Sequence, residues 1–255
     1  MQPEAALDSW RQWDANLHNR PVILGPLDGG LSNRSYLVDS SGQKMVLRIN
    51  GSDSALPGAS RSDEVHIWQA ASQRGIAPRL IFTDEQNGLL VSEYIDSTVP
   101  SKPPFKTALV SRALELLKQC HQLDLDTPAI NYAGHIAHYW RIIESRDNIN
   151  NPLLEQQRKP MQWVLEELHE HGGETGLCHH DPLIANFVGN DDRLLLIDWE
   201  YASRGLVVMD FAAFAVEWKI DDATIVGQTG VEPKSLDMAK SLYGYLCQLW
   251  LELAP

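Results

Sequence analysis

The chain has 255 residues, of which 44% are hydrophobic and 22% charged, a composition that predicts a substantial core and argues against wholesale disorder. The formal net charge is −13, and basic runs typical of nucleic-acid binders are absent, so a small cationic partner is favoured over nucleic acid. Because no apolar run approaches the length of a membrane span and the N-terminus lacks a secretory pattern, the chain is expected to be cytoplasmic.

The N-terminal part of the chain predicts a helix followed by a strand hairpin. Residues 4–19 have the pattern of an amphipathic helix. The stretch RSYLVDSSGQKMVLRI then alternates apolar and polar residues, which predicts two strands joined by a turn at Asp39–Gln43. A glycine pair lies just ahead of the first of these strands.

The next segment predicts one helix and a second strand pair. A helix is expected over residues 62–74, with Ser62 as its N-cap and Gly75 as its stop. The stretch APRLIFTDEQNGLLVSEYI predicts two strands around a turn at Asn87-Gly88. The proline-rich stretch DSTVPSKPPFK follows and reads as a connector.

From about residue 106 the pattern becomes helical. Helices are expected over 106–123, 133–148 and 153–171, and again from 207 to the end. The sequence therefore predicts a two-lobed α+β plan, with a small β-rich lobe over residues 1–95 and a larger helical lobe over 96–255. A plan of this kind offers a natural binding cleft.

The segment HHDPLIANFVGNDDRLLLIDWE, residues 179–200, carries the strongest chemical signal. Asp181 and Asn186 share one irregular loop, and Asp198 follows an apolar strand. If the chain turns back at GNDD, two carboxylates and an amide oxygen converge. These are hard oxygen ligands of the type that Mg²⁺ prefers, and one acid could hold metal while the other accepts a proton from a hydroxyl.

The spacing of this segment matches the catalytic and metal loops of kinases, in which H-x-D-x-x-x-x-N precedes a strand that ends in Asp. Two other readings stay open. Asp181 and Asn186 could cap a turn while Asp198 merely ends a strand. Alternatively His179, His180 and Asp181 could bind zinc, although adjacent histidines usually point in different directions and no Cys/His partner spacing supports such a site.

Upstream residues could hold the phosphates of a nucleotide. In GGLSNRSYLV, Gly29 and Gly30 would let backbone N–H groups approach phosphate, and Ser32 and Asn33 could donate hydrogen bonds. A hairpin with a Gly-Gly turn and no ligand is the ordinary alternative.

Two charged residues and one strand end complete the predicted nucleotide site. Arg48, in the strand MVLRI, could reach the α- and β-phosphates, and Glu64 could pair with it across the sheet–helix interface. The alternatives are a solvated strand charge and an exposed acid favoured by the helix dipole. The backbone of Glu93, Tyr94 and Ile95, at the end of LLVSEYI, could meet the adenine edge.

The chain resembles the choline kinase, thiamine kinase and aminoglycoside phosphotransferase superfamily. Four blocks within residues 20–220 carry the resemblance: GGLSNRSYLV, MVLRI with EVHIWQAASQRGIAPRLI, LCHHDPLIANFV, and LLLIDWEYASRGLVVMDFAAFAVEW. IDWEYA is most similar to the bacterial choline and thiamine kinases. The resemblance implies a protein-kinase-like fold and ATP- and Mg²⁺-dependent phosphorylation of a small, cationic alcohol.

The same resemblance implies roles for individual residues. Asp181 would be the catalytic base, and Asn186 and Asp198 would hold Mg²⁺. Arg48 occupies the position of a phosphate-binding lysine, and Glu64 would be its ion-pair partner.

Other positions would support the loop or depart from the family pattern. His179 would brace the catalytic loop, and Asp210 would anchor it from beneath. His180 and Pro182 stand where many relatives have other residues. The C-terminus is short, so the acceptor pocket is expected to be incomplete or completed by another chain.

The acceptor is expected to pair a cationic nitrogen with a primary hydroxyl, as choline and thiamine do. Aromatic faces and carboxylates bind such cations. The substrate contacts are predicted at Trp199, Glu200, Tyr201 and Trp218, and the remaining aromatic and acidic candidates are Tyr139, Trp140, Glu217, Tyr243 and Trp250. Most of these aromatics are expected to be packing residues. Ethanolamine, a sugar or an aminoglycoside stay possible acceptors, as does a non-catalytic nucleotide-binding module or a metal-assisted hydrolase.

Overall fold

The protein divides into two compact units in the computed structural model, which describes residues 2–14, 16–27, 33–51, 60–146, 151–190 and 192–253. The first unit comprises Met1–Ala55, Ala59–Val99 and Phe187–Glu200. The second comprises Leu56–Gly58, Pro100–Asn186 and Tyr201–Pro255. The segment Phe187–Glu200 therefore groups with the N-terminal sheet, although it comes long after residue 95 in the chain.

The first unit contains an antiparallel five-stranded sheet with the strand order β1-β2-β3-β5-β4. Its strands are β1 Val22–Leu27, β2 Asn33–Ser40, β3 Gln43–Asn50, β4 Leu80–Asp84 and β5 Leu89–Glu93. The two predicted hairpins are confirmed. The β2–β3 turn is tight because Ser41 and Gly42 both adopt positive φ, at 55° and 91°, the geometry that suits a two-residue hairpin.

Strand β1 was not predicted from the sequence. Its sequence, VILGPL, has no polar–apolar alternation and contains Gly25 and Pro26, and the pairing with β2 shifts register between Ile23 and Gly25. Proline is tolerated there because β1 is an edge strand.

The N-terminal helix is shorter than predicted. A helix α1 spans Pro3–Ala6 and continues as a 3₁₀ helix over Leu7–Gln12, so the prediction of one helix over residues 4–19 was wrong. Leu7, Trp10 and Trp13 are buried in the core cluster that also contains the inner face of the sheet. Packing of these large side chains therefore decides the local conformation.

Helix α2 spans Arg61–Arg74 and ends, as predicted, at Gly75 with a φ of 81°. Its N-cap is Ser60 rather than Ser62, because the Ser60 side chain accepts a hydrogen bond from the Asp63 backbone N–H. The Ser62 hydroxyl lies 2.7 Å from the Ser60 hydroxyl.

The late segment of the first unit is the predicted hairpin. Strands β7 Phe187–Gly189 and β8 Leu194–Leu196 pair antiparallel. The Asn190 side chain accepts hydrogen bonds from the backbone N–H groups of Asp192 and Arg193, which closes the turn. The Leu196 N–H donates to the Ile76 carbonyl, so the hairpin is fixed to the segment that follows α2.

The second unit is mainly helical. Its elements are α3 Thr107–His121, α4 Tyr132–Ser145, α5 Pro152–His171, β6 Thr175–Cys178, a 3₁₀ turn Ile184–Asn186, β9 Ser203–Leu206, α6 Val207–Trp218, α7 Asp222–Thr229 and α8 Pro233–Leu253. The predicted helices are confirmed, and β6 pairs antiparallel with β9. Together with the sheet of the first unit, this confirms the α+β fold class. Within the described ranges, no helix combines the length and apolarity needed to cross a bilayer.

Candidate active site

The predicted catalytic loop follows β6 and is held by Asp210. The backbone N–H groups of His179 and His180 each donate to one carboxylate oxygen of Asp210, both at 2.8 Å. Asp210 is fully buried in the first turn of α6. The predicted anchor beneath the loop is therefore present, and it acts on the His179 backbone.

Sequence reasoning missed a further partner of this anchor. His121, the last residue of α3, places its Nε2 atom 2.9 Å from Asp210 Oδ2. Burial alone would raise the pKa of Asp210, but the hydrogen bond and charge of His121, with smaller contributions from His180 and His179, lower it to about 2. No local pattern could reveal this pair, because 89 positions separate the two residues.

His180 has a left-handed backbone conformation and a buried ring nitrogen. Its φ is 64°, in the region that histidine, asparagine and aspartate adopt more often than other non-glycine residues. Its Nε2 atom is buried and has no hydrogen-bond partner among the described residues. The ring lies where a side chain at Gly205 would clash, since a Cβ there would be 2.7 Å from the His180 ring.

Because the His180 side chain is buried, we expect the free energy of unfolding to depend on pH. Burial lowers its pKa to about 4 from 6.5. The folded protein therefore binds fewer protons than the unfolded chain between these values, and stability falls as the pH drops below 6.5. Between pH 7.5 and pH 5 the loss from this group is about 2 kcal/mol. Urea unfolding at the two pH values measures it.

His180→Asn is the matched control for this prediction, because asparagine tolerates positive φ and does not titrate. The variant should lose about 2 kcal/mol less than the wild type between the two pH values. Equal losses in both proteins would contradict a neutral, buried His180.

Asp181 and Asn186 are brought together within the second unit. The Asn186 side-chain nitrogen donates to the Asp181 backbone carbonyl and to Asp181 Oδ2, both at 2.8 Å. The Leu183 N–H also donates to the Asp181 carbonyl, which tightens the loop after Pro182. Because the amide nitrogen of Asn186 is engaged by Asp181, its oxygen is the atom left for a metal.

Arg48 and Glu64 form the predicted ion pair in the first unit. Arg48 Nη2 binds Glu64 Oε1, and both side chains are buried. The alternatives of a solvated strand charge and an exposed first-turn acid are therefore wrong. The Arg48 Nε atom is buried without a hydrogen-bond partner among the described residues, so one donor remains for a ligand oxygen.

Asp198 has the features expected of a metal ligand. Its φ is 66°, in the left-handed region that aspartate adopts more readily than most residues. Its Oδ1 atom is buried, lies 3.5 Å from Arg48 Nη1, and has no hydrogen-bond partner in the described part of the chain. Burial raises the pKa of Asp198, while Arg48 opposes the rise. An uncompensated buried carboxylate oxygen fits a divalent cation.

The zinc alternative receives no support. Among the described residues, the groups close enough to share an ion are His121–Cys178–Asp210 and Glu167–Glu170–His171. Neither group combines His179 or His180 with Asp181.

The residues just after Asp198 are engaged by the protein. Trp199 is fully buried, and its indole N–H donates to the Leu196 carbonyl at 3.2 Å. Glu200 is buried and accepts a hydrogen bond from Asn33 Nδ2 at 3.0 Å. Burial, followed by the charge of Asp198, raises the Glu200 pKa. These contacts favour structural roles over the predicted substrate contacts.

Trp218 and Tyr201 differ in their surroundings. Trp218 is fully buried, stacks on Phe214 and donates its indole N–H to the Pro182 carbonyl at 3.1 Å. It therefore positions the residue after Asp181 rather than offering a face to a substrate. Tyr201 stays partly exposed.

A polar pair joins α6 and α8 in the second unit. The Tyr243 hydroxyl donates to Glu217 Oε1 at 2.8 Å. Burial raises the pKa of Cys247, a hydrogen bond with Tyr243 opposes the rise, and the negative charges of Glu217 and Asp181 add to it. Sequence analysis named Glu217 and Tyr243 among the acceptor candidates but gave no reason to select them.

The remaining nucleotide-site predictions have mixed outcomes. Gly29, Gly30 and Ser32 lie outside the described residues, and Asn33 is buried at the start of β2. Near the predicted adenine edge, the hydrogen bond from Arg193 lowers the Glu93 pKa despite partial burial, and Glu93 binds Arg193 at 2.9 and 3.2 Å. The Lys44 Nζ atom lies 5.6 Å from the Tyr94 ring centroid, and Ile95 is half-buried.

A family model matches most of the chain. The model of the "Phosphotransferase enzyme family" matches residues 23–232. The chain belongs to this family.

Curated relatives include several kinases of small alcohols. The chain is 26% identical over 225 residues to "Ethanolamine kinase 1" of the mouse, covering 81% of the chain and 61% of that protein. It is 28% identical over 206 residues to "Thiamine kinase" of Salmonella heidelberg, covering 78% of the chain and 67% of that protein. The chain thus spans about three fifths of the mouse relative's length.

Solved structures confirm the protein-kinase-like fold. Choline kinase LicA from Streptococcus pneumoniae superposes with a TM-score of 0.78 at 21% identity, covering 97% of this chain and 90% of that one. A spectinomycin phosphotransferase superposes with a TM-score of 0.61 at 13% identity, covering 96% of this chain and 80% of that one.

Proposed function

We propose that the protein is an ATP- and Mg²⁺-dependent kinase that phosphorylates a hydroxyl of a small cationic alcohol. The observation that carries the proposal is a pair of buried, unmatched atoms in the first unit. Arg48 Nε lacks an acceptor and Asp198 Oδ1 lacks a donor among the described residues. A phosphate oxygen and a divalent cation would satisfy them. Membership of the phosphotransferase family supports the same chemistry.

Asp181 accepts the proton of the acceptor hydroxyl while the oxygen of that hydroxyl attacks the γ-phosphorus of ATP. A new O–P bond forms, the bond to the β-phosphate oxygen breaks, and ADP leaves. Asn186 holds Oδ2 of Asp181 through its amide nitrogen, which fixes the orientation of the base. His179 contributes its backbone N–H to the Asp210 anchor.

The proposed ligands of the nucleotide and its metal are those that the sequence predicts. Asn186 and Asp198 would hold Mg²⁺, which neutralises charge on the phosphates. Arg48 would bind the phosphates, and Glu64 keeps its guanidinium oriented. The Gly29–Asn33 turn and the backbone of Glu93 to Ile95 stay predicted contacts for the phosphates and the adenine.

The acceptor is proposed to be choline, thiamine or a related amino alcohol such as ethanolamine. The Glu217 carboxylate, oriented by the Tyr243 hydroxyl, would compensate the cationic nitrogen. The net charge of −13 favours a cationic ligand in the same sense.

A panel of acceptors tests the proposal. Purified protein is incubated with Mg·ATP and, in turn, choline, ethanolamine, thiamine, a neutral sugar and spectinomycin, and ADP release is measured together with the phosphorylated product. We expect acceptor-dependent turnover with one of the cationic alcohols. Turnover only with spectinomycin would support an aminoglycoside phosphotransferase instead. Nucleotide binding without transfer would support a non-catalytic module, and acceptor-independent phosphate release a hydrolase.

Glu217→Gln tests the cation contact. Loss of one charged partner should raise the acceptor KM by about ten- to a hundredfold, while the KM for ATP changes little. Steady-state kinetics with the best cationic acceptor measure both values. Glu166→Gln, at an exposed position of α5, removes the same charge elsewhere and should leave both unchanged. Equal rises in the two KM values for Glu217→Gln would contradict the assignment.

A further inference from the structure

Six side chains of the first unit form a ring of ionic and hydrogen-bonded contacts that is closed by the backbone between Asp198 and Glu200. The ring includes Arg48 and Asn33, two of the predicted phosphate ligands. In order, its members are Asp198, Arg48, Glu64, Arg61, Asn33 and Glu200.

Arg61 contacts three other members of the ring. Its Nη1 atom lies 2.9 Å from Glu64 Oε2 and 3.4 Å from Glu200 Oε2. Its Nη2 atom donates to Asn33 Oδ1 at 3.3 Å, and Asn33 in turn donates to Glu200 at 3.0 Å. One guanidinium thus joins the start of α2, the start of β2 and the residue two positions after Asp198.

The charges of the ring do not balance. Three carboxylates and two guanidinium groups leave one net negative charge when all are ionised. Glu64 and Glu200 are nearly fully buried, whereas the Arg61 side chain keeps 30% of its surface exposed. Buried carboxylates of this kind require a cationic partner, and Arg61 supplies one to both.

We propose that Arg61 is a positioning residue that sets the charge balance of the nucleotide–metal site. By offsetting part of the negative charge of Glu64 and Glu200, it leaves Arg48 able to attract phosphate and Asp198 as the dominant site for a cation. This inference rests on the proposed function. Without Arg61 the ring would carry two net negative charges, so it would repel a nucleotide and attract a bare divalent cation more strongly.

Opposite changes in two affinities distinguish this role from a merely structural one. We would measure binding of ADP without metal by calorimetry and binding of Mn²⁺ alone by paramagnetic relaxation. For Arg61→Gln we expect ADP to bind about tenfold more weakly and Mn²⁺ about threefold more tightly. Parallel weakening of both ligands, or no change in either, would overturn the proposal.

Two further variants sharpen the test. Arg61→Lys keeps the charge but loses the planar fork, so it should restore Mn²⁺ affinity to the wild-type value and most of the ADP affinity. If Arg61→Gln folds poorly, the Arg61→Lys variant still tests the proposal. An Arg61→Lys protein with both affinities reduced tenfold would overturn the proposal. Arg74→Gln, at the exposed end of the same helix, removes an identical charge and should change neither affinity.

The outcome separates this inference from the proposed function. Wild-type protein that binds ADP and Mn²⁺ but transfers phosphate to no acceptor would contradict the proposed function, while the opposite changes in Arg61→Gln would still support the role of Arg61. Normal turnover by the wild type with parallel losses in Arg61→Gln would overturn the role of Arg61 alone.

Discussion

Replacing Asp181 with asparagine is expected to lower kcat by about two to four orders of magnitude. The carboxylate is the group proposed to take the proton of the acceptor hydroxyl, and an amide cannot do so at neutral pH. The surrounding structure should persist, because an asparagine oxygen can still accept the hydrogen bond that Asn186 donates to Asp181 Oδ2. Binding of Mg·ADP should therefore change little.

Steady-state ADP release at saturating acceptor measures this effect, and a melting temperature checks the fold. Asp237→Asn removes the same charge from an exposed position of α8 and serves as the matched control. A kcat for Asp181→Asn within threefold of wild type would remove Asp181 from the proton transfer.

Replacing Asp198 with asparagine is expected to have the second large effect on turnover. Turnover should fall by orders of magnitude, because an amide oxygen binds a divalent cation far more weakly than a carboxylate. The free protein should not be destabilised. Burial already disfavours the charged form of Asp198 and raises its pKa, its Oδ1 atom has no hydrogen-bond donor among the described residues, and asparagine tolerates the φ of 66°.

A thermal-shift measurement separates the two parts of this prediction. Asp198→Asn should melt at or above the wild-type temperature without ligand, and it should lose the additional stabilisation by Mg·ADP. Asp96→Asn, at an exposed position of the first unit, should keep that stabilisation. An Asp198→Asn protein stabilised by Mg·ADP as strongly as wild type would contradict the metal role.

The parts of the fold that could be predicted are those with local signals. Helices α3 to α5 follow from apolar periodicity, and the end of α2 follows from Gly75. Strand β1 was missed because VILGPL has no polar–apolar alternation and contains Gly25 and Pro26, and its pairing with β2 is a tertiary effect.

The site shows the same division. The spacing of Asp181 and Asn186 predicted a contact that the loop makes, and Glu64 does pair with Arg48. The sequence could not distinguish a tryptophan that faces a ligand from one that packs in a core. It therefore predicted substrate contacts at Trp199 and Trp218, which are fully buried.

Contacts between distant positions were beyond sequence reasoning for a different reason. His121 binds Asp210 across 89 positions, and Arg61 reaches Glu200 across 139. The local sequence around an arginine in the first turn of a helix, or around a histidine in the last turn, does not indicate which distant residue it will bind. Only the packing of the elements that bear them brings these side chains together.

Phosphorus NMR of the protein with Mg·ATP and a cationic alcohol observes the proposed phosphate transfer itself. We expect the γ-phosphate signal of ATP to be replaced by signals of a phosphomonoester of the alcohol and of ADP in equal amounts, and neither product to form with Asp181→Asn or Asp198→Asn on the same time scale. Persistence of intact ATP with every alcohol, or conversion to inorganic phosphate alone, would contradict it.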